Sequence, residues 1–371
     1  MNTSSFEGRQ KKKLYVFLAL FFVISFATKY IDWKIYRIEI TRAENNDGLK
    51  YKNMAWQMIE GKTPREYVRN FGLRPAFIAY LASLMKVFGY DSDFEISVIN
   101  MALISLFLTV LVYLIMDRYG PDELGRSFAV AVIFAAGNPL ILFWSPFILT
   151  DIVSLMPLIL GLFVYLKITH KGKYAWLGVI YGLAFHIREV TAVNFAALVV
   201  VMLATHERKR DLGVMVLVYL ALVVPWLAYI QSQTSVSPLL HHLGKAVEAR
   251  DRTFETGQLP FFARFMANIA RHYGMRISDG GPIDAHGYYA IFYTMGMYAM
   301  GVLGLACLYV RRNLKELYLV SFSLIFTAVF YGFVGEGPYM RGRVPVEYLW
   351  IYVASIGLMA VLSKRGRRQA C

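Results

Sequence analysis

The chain has 371 residues, 57% of them hydrophobic and only 17% charged, with a net charge of +14. Soluble domains carry about 25% charged residues, and here the apolar residues come in long blocks. The composition excludes an ordinary soluble fold and points to an all-α polytopic membrane protein. Segments of about ten alternating residues, the sign of a transmembrane barrel, are absent.

The first block, "KKKLYVFLALFFVISFATKYI", has a basic start and no convincing small-x-small cleavage site, so it reads as a retained span at about 14–31. Further spans are expected at about 96–116, 126–143, 149–166, 174–187, 190–204, 212–231, 287–309, 317–334 and 346–362, about ten transmembrane helices in all. The pair around Arg188-Glu189 is the weakest and reads as a kinked or broken crossing. The whole chain, 1–371, reads as a single transmembrane domain, because no polar region is long enough to fold alone.

Basic residues orient these spans. With both termini in the cytoplasm, the inner segments are "RQKKK", "DRYGPDELGR", "KITHKGK", "HERKRD", "RRNLKE" and "KRGRRQA", and every one carries Lys or Arg. The short outer loops are poorer in positive charge. This pattern is not the footprint of a nucleic-acid binder. Two long outer loops remain, about 32–95 and 232–286, and only these leave room for an extracytoplasmic active site. Cys307 and Cys371 build no disulfide framework, and none of the seven histidines has a metal-ligating H-x-x-H spacing.

In the first outer loop, Leu49, Met54, Trp56 and Ile59 alternate with polar residues as in an imperfect amphipathic helix. Asp47 stands near its N-cap position and Gly61 closes it. A second helix, "AFIAYLASLMKVFG", follows Arg74-Pro75 and ends at Gly89. Both are expected to lie on the outer membrane surface. Asp151, Arg188 and Glu189 interrupt apolar spans, where charge is costly and faces a partner or a cavity. Two readings stand beside each other: a structural ion pair of Arg188 with Glu189 or Asp151, or a basic site for an anionic group. Arg341 and Arg343, at the mouth of the last span, read either as snorkelling anchors or as a phosphate clamp, since a guanidinium fork suits phosphate oxygens.

One carboxylate and several cations in an outer cavity suit a lipid-linked phosphate donor whose tail stays in the bilayer. The carboxylate takes the proton from an attacking hydroxyl, and the arginines stabilise the departing phosphate. No G-x-x-x-x-G-K-[ST] nucleotide motif is present.

Four stretches, "NDGLKYKNMAWQMIEGKTP", "LRPAFIAYLASLMKVFGYDS", "LTDIVSLMPLILGLFVYLK" with "YGLAFHIREVTAVNFAALVVVML", and "RGRVPVEYLWIYVASIGL", resemble the GT-C class of integral membrane glycosyltransferases. The resemblance is to the branch of protein O-mannosyltransferases and lipid A aminoarabinose transferases. Asp47, Tyr51, Ala55 and Gly61 match that family's first-loop pattern. The resemblance implies a polyprenyl-phosphate-linked sugar donor, a glycan, lipid or protein acceptor, and an extracytoplasmic site in the inner or plasma membrane. It implies Asp47 as catalytic base; from their own chemistry, Arg341, Arg343 and Arg188 are then expected on the donor phosphate. Glu44, Tyr51, Arg74, Asp151 and Glu189 would shape the site. It also admits a divalent metal, although no pair of carboxylates is spaced to hold one. Two departures stand out: the usual acidic pair is here Asp47-Gly48, with Glu44 three residues earlier, and Gly342 follows the late arginine where the family has tyrosine.

Two rivals fit the same spans. An O-antigen-type polymerase or ligase would use His241, His242, Arg250, Arg252, Arg271 and His272 in the second long loop. A lipid-carrier flippase or transporter would show repeat symmetry, which the sequence lacks.

Overall fold

The computed structural model describes residues 8–36, 46–62, 74–234, 260–272, 285–334 and 343–362. All of the described regular structure is helical. Each apolar block becomes a helix at its expected place. Helix α1 is Gly8–Tyr36, and the first outer loop contributes α2, Asn46–Ile59, and α3, Pro75–Phe88. Next come α4, Asp93–Tyr119, and a broken crossing made of α5, Leu124–Ala131, and α6, Pro139–Trp144. A short α7, Thr150–Val153, leads into α8, Leu155–Lys167. Helices α9, Lys173–Ile187, and α10, Ala192–Ala204, form the pair around Arg188. The rest are α11, Lys209–Thr234, α12, Phe261–His272, α13, Ala285–Val310, α14, Leu314–Val334, and α15, Val344–Leu362. Among the described residues seven helices are long and apolar enough to cross a membrane; shorter apolar helices include Pro75–Phe88 and Glu189–Ala204. The remaining three expected crossings, the broken α5–α6 unit, α9 and α10, are present as helices but fall short of that length.

The weak pair is a helical hairpin. Helices α9 and α10 have 15 and 13 residues, about 22 and 20 Å at 1.5 Å per residue, against a hydrocarbon core of about 30 Å. Tyr174 at the start of α9 donates to Glu207 just beyond α10, at 2.6 Å, so both open ends lie together and the Arg188 turn is at the tip. Gly178 and Gly182 seat α9 on α11: a Cβ on either would press on Met215, Val218 or Leu222. This is the small-xxx-small contact by which helices approach in lipid.

Ion pairs mark one end of the bundle. Lys167 pairs with Asp117, Arg118 with Glu316, and Lys315 with Glu207. These residues belong to four of the basic segments read as inner, so the structure gathers those segments at a single end. Burial works to raise the Glu207 carboxyl, but hydrogen bonds from Lys315 and Tyr174 outweigh it and hold it below its ordinary range. The residues of the Arg188 turn, the start of α4 and the start of α7 lie at the opposite end.

The broken crossing is irregular because its backbone finds partners elsewhere. A π-helical turn spans Val132–Ala136, and Asn138 caps α6 by accepting from the Ile141 amide at 3.0 Å. Tyr293 donates to the Phe134 carbonyl at 2.6 Å, Thr28 to that of Ala136 at 3.4 Å, and Tyr289 to that of Gly137. In a bilayer only such donors make a helix break tolerable.

Helix α15 is almost wholly buried, and α13 is its closest neighbour. At their crossing Gly304 faces Val353 and Gly357 faces Met300, backbone to backbone. A Cβ on Gly304 would overlap the Val353 carbonyl, and one on Gly357 that of Met300. Overpacking costs about 1–3 kcal/mol where side chains can yield, and here backbone would have to move. Gly357→Ala should therefore lower the melting temperature in detergent markedly, whereas Gly213→Ala, with open space around it, should leave it unchanged.

Candidate active site

Helix α2 forms where the amphipathic pattern placed it, but it starts at Asn46, so Asp47 lies within the first turn, not ahead of the helix. A carboxylate there is favoured by the helix dipole. The buried face is Tyr51, Lys52, Met54 and Ala55, while Leu49 is exposed. Lys52 is buried because it pairs with Asp93 at the start of α4. Tyr51 meets the Phe77 ring of α3 edge-on at 5.0 Å. Gly61 and Gly89 end the two helices at φ +71° and +92°, where only glycine is unstrained.

Arg74 opens α3 and joins two parts of the chain. Its Nε and Nη2 donate to the two carboxylate oxygens of Glu189 at 3.0 Å each, a bidentate pair, and its Nη1 donates to the Tyr51 hydroxyl. Asp47 is four residues before Tyr51, hence on the same face of α2 one turn away. It is partly exposed.

Glu189 sits at the tip of the α9–α10 hairpin. Arg188 there is extended, its carbonyl accepting from Thr191 Oγ1 at 2.8 Å. The Arg188 side chain pairs with Asp151, which is fully buried in the first turn of α7, and donates through Nη2 to Tyr331 of α14 at 3.3 Å. Its Nε–H meets no acceptor among the described residues. Asp47, Tyr51, Arg74, Glu189, Arg188 and Asp151, drawn from α2, α3, α7 and the hairpin, thus form one chain of neighbours. Arg188 has the structural partner that the sequence offered as one reading, and keeps a donor besides.

Arg343 is 1% exposed, and its Nε donates to Glu347, one turn further along α15, at 2.9 Å. Its Nη1 donates to the Tyr298 hydroxyl at 2.8 Å, and Glu347 also accepts from Asn138 of the broken crossing at 2.8 Å. The guanidinium is enclosed by α13 and α15, so its ion pair ties the start of α15 to the break at Asn138. Helix α15 in turn touches α7, which carries Asp151.

Glu44, Arg341, His241, His242, Arg250 and Arg252 lie outside the described residues, and of Arg271 and His272 only the backbone, in the last turn of α12, is described. Among the described residues no group of three or more His, Cys, Asp or Glu is placed to hold a metal ion. Sequence reasoning missed Tyr331, Tyr298, Asn138 and Glu347. Only Glu347 left a signal, a carboxylate four residues after Arg343 inside an apolar span.

Residues 74–229 match the protein family described as dolichyl-phosphate-mannose-protein mannosyltransferase, which is the branch the sequence resembled. The match covers α3, the broken crossing, Asp151, the Arg188 hairpin and most of α11. It indicates a membrane glycosyltransferase of the mannosyltransferase type. No curated protein and no solved structure matches the chain significantly.

Proposed function

We propose that this mannosyltransferase-type membrane protein moves a sugar from a polyprenyl-phosphate carrier to an acceptor hydroxyl on the extracytoplasmic face, with Asp47 as general base. The observation that carries this reading is Arg74 bridging Tyr51 and Glu189. That bridge docks the helix bearing Asp47 against the turn bearing Arg188. Of the three carboxylates, Asp151 is sealed against Arg188 and Glu189 engages Arg74 with both oxygens. Asp47 stands in the first turn of α2, on the face of Tyr51, and is the carboxylate assigned here to the acceptor hydroxyl.

The acceptor oxygen attacks the sugar C1 while its proton passes to Asp47. The bond from C1 to the phosphate oxygen breaks, and polyprenyl phosphate leaves with the electron pair. Arg188, held in place by Asp151 and Tyr331, offers its remaining N–H to a phosphate oxygen. A cation oriented before the reaction stabilises the charge as it develops. Arg341, two residues before Arg343 in the sequence, is the further arginine assigned to the donor phosphate. It supplies the further positive charge that the paired arginines do not. The resemblance admits a divalent metal, which would add Lewis-acid stabilisation of the phosphate, and no step here requires one of these residues to bind it.

The test incubates purified protein with radiolabelled polyprenyl-phosphate sugars, mannose first, and membrane extracts. A labelled covalent product supports the reading. Transbilayer movement of the carrier without any covalent product would replace it with the flippase alternative.

A further inference from the structure

A second feature lies at the opposite end of the bundle, among the basic segments. A cavity of about 580 Å³ opens between the start of α1 and the start of α5. Lys12 and Lys13 line its mouth, and Val16, Phe17, Pro121, Leu124 and Gly125 line the rest. Phe17 in the lining packs against the Phe128 ring, with centroids 4.9 Å apart. Leu124 is buried, and Val16 is 66% exposed within the first apolar span.

The order of chemistry along the groove is the order of chemistry along a phospholipid. Lys12 and Lys13 are exposed at the head of the first span. Val16 and Phe17 follow within about one turn, 5.4 Å deeper. The acidic residues beside the mouth do not cancel this charge. Glu123 is engaged by Arg126 at 2.9 Å, and Asp122 is one negative charge against the three positive charges of Lys11, Lys12 and Lys13. Basic clusters at a span's edge attract anionic headgroups, and each lysine near the surface strengthens that about fivefold.

We infer that this groove is a binding site for an anionic phospholipid, its phosphate on Lys12 and Lys13 and an acyl chain along Val16, Phe17 and Leu124. The site is separate from the Asp47–Arg188 chain and holds whether or not sugar transfer is the activity.

The test uses the full-length protein in nanodiscs of phosphatidylcholine doped with phosphatidylglycerol, with retained lipid counted by native mass spectrometry. The wild type should retain phosphatidylglycerol and gain thermal stability from it. Lys12→Gln with Lys13→Gln should lose retention by at least about fivefold, and Lys12→Arg with Lys13→Arg should restore it. Gly125→Leu changes no charge, a Cβ at this lining position meets nothing within 4 Å, and the larger side chain should also expel the lipid. Unchanged retention in both variants would overturn the inference. Loss in the lysine variant alone would overturn it too, because that is diffuse attraction to a charged surface and not a groove.

Discussion

Asp47→Asn should abolish sugar transfer while leaving the protein folded. The amide keeps the shape of the carboxylate but cannot accept the acceptor's proton, and loss of a positioned general base lowers rates by about 10²–10⁴-fold. Asp47 is partly exposed in the first turn of α2, where losing the charge forfeits only about 0.3–1 kcal/mol of helix-dipole interaction. Gel filtration and melting in detergent should therefore match the wild type, and donor binding should persist, because the phosphate ligands are untouched. A well-folded Asp47→Asn protein with full transfer activity would remove Asp47 from the mechanism. Activity lost instead on alanine substitution of His241, Arg250 or Arg252, with Asp47→Asn active, would favour the polymerase or ligase alternative.

The fold was legible because lipid imposes a coarse code. Blocks of apolar residues separated by Lys and Arg placed ten spans, seven of them described as helices long enough to cross, and the ion pairs Lys167–Asp117, Lys315–Glu207 and Arg118–Glu316 gather four of the basic segments at one end. Hydropathy could not separate a full crossing from a helix of 13 or 15 residues, since both are apolar throughout. The hairpin needed the Tyr174–Glu207 bond to be seen. Nor does periodicity reveal the π-turn at Val132–Ala136, whose cause lies in hydroxyls of Thr28, Tyr289 and Tyr293 on other helices. At the site, residue identity was readable but pairing was not. Arg188 had two carboxylates within reach in the sequence, and the structure gives it Asp151, whereas Glu189, its neighbour, turns to Arg74, 115 positions earlier. The amphipathic α12 went unread altogether. Its Phe265 fills the notch at Gly332, and its Asn268 donates to the Gly332 carbonyl at 3.0 Å, next to the Tyr331 that holds Arg188.

Arg74 provides the second large effect. Its guanidinium is the joint between α2 and the hairpin tip, and its side chain is only 11% exposed. Arg74→Ala leaves Glu189 without its bidentate partner and Tyr51 without its donor. Removing one partner of a buried pair costs about 3–5 kcal/mol, so the melting temperature should fall and transfer should drop by at least about 10²-fold as Asp47 loses its register against Arg188. Glu189→Gln alone should also destabilise, because it leaves the guanidinium uncompensated. The double variant Arg74→Met with Glu189→Gln has no unmatched charge. It should recover much of the stability while transfer stays low, since the bridge is still absent. That separation of stability from rate is the signature of a positioning residue. Arg74→Lys keeps the charge but loses the fork, and should hold the fold better than Arg74→Ala while restoring little activity. If the double variant regained transfer together with stability, Arg74 would be a structural tie alone, and the register of Asp47 against the hairpin would have to come from the Lys52–Asp93 pair instead.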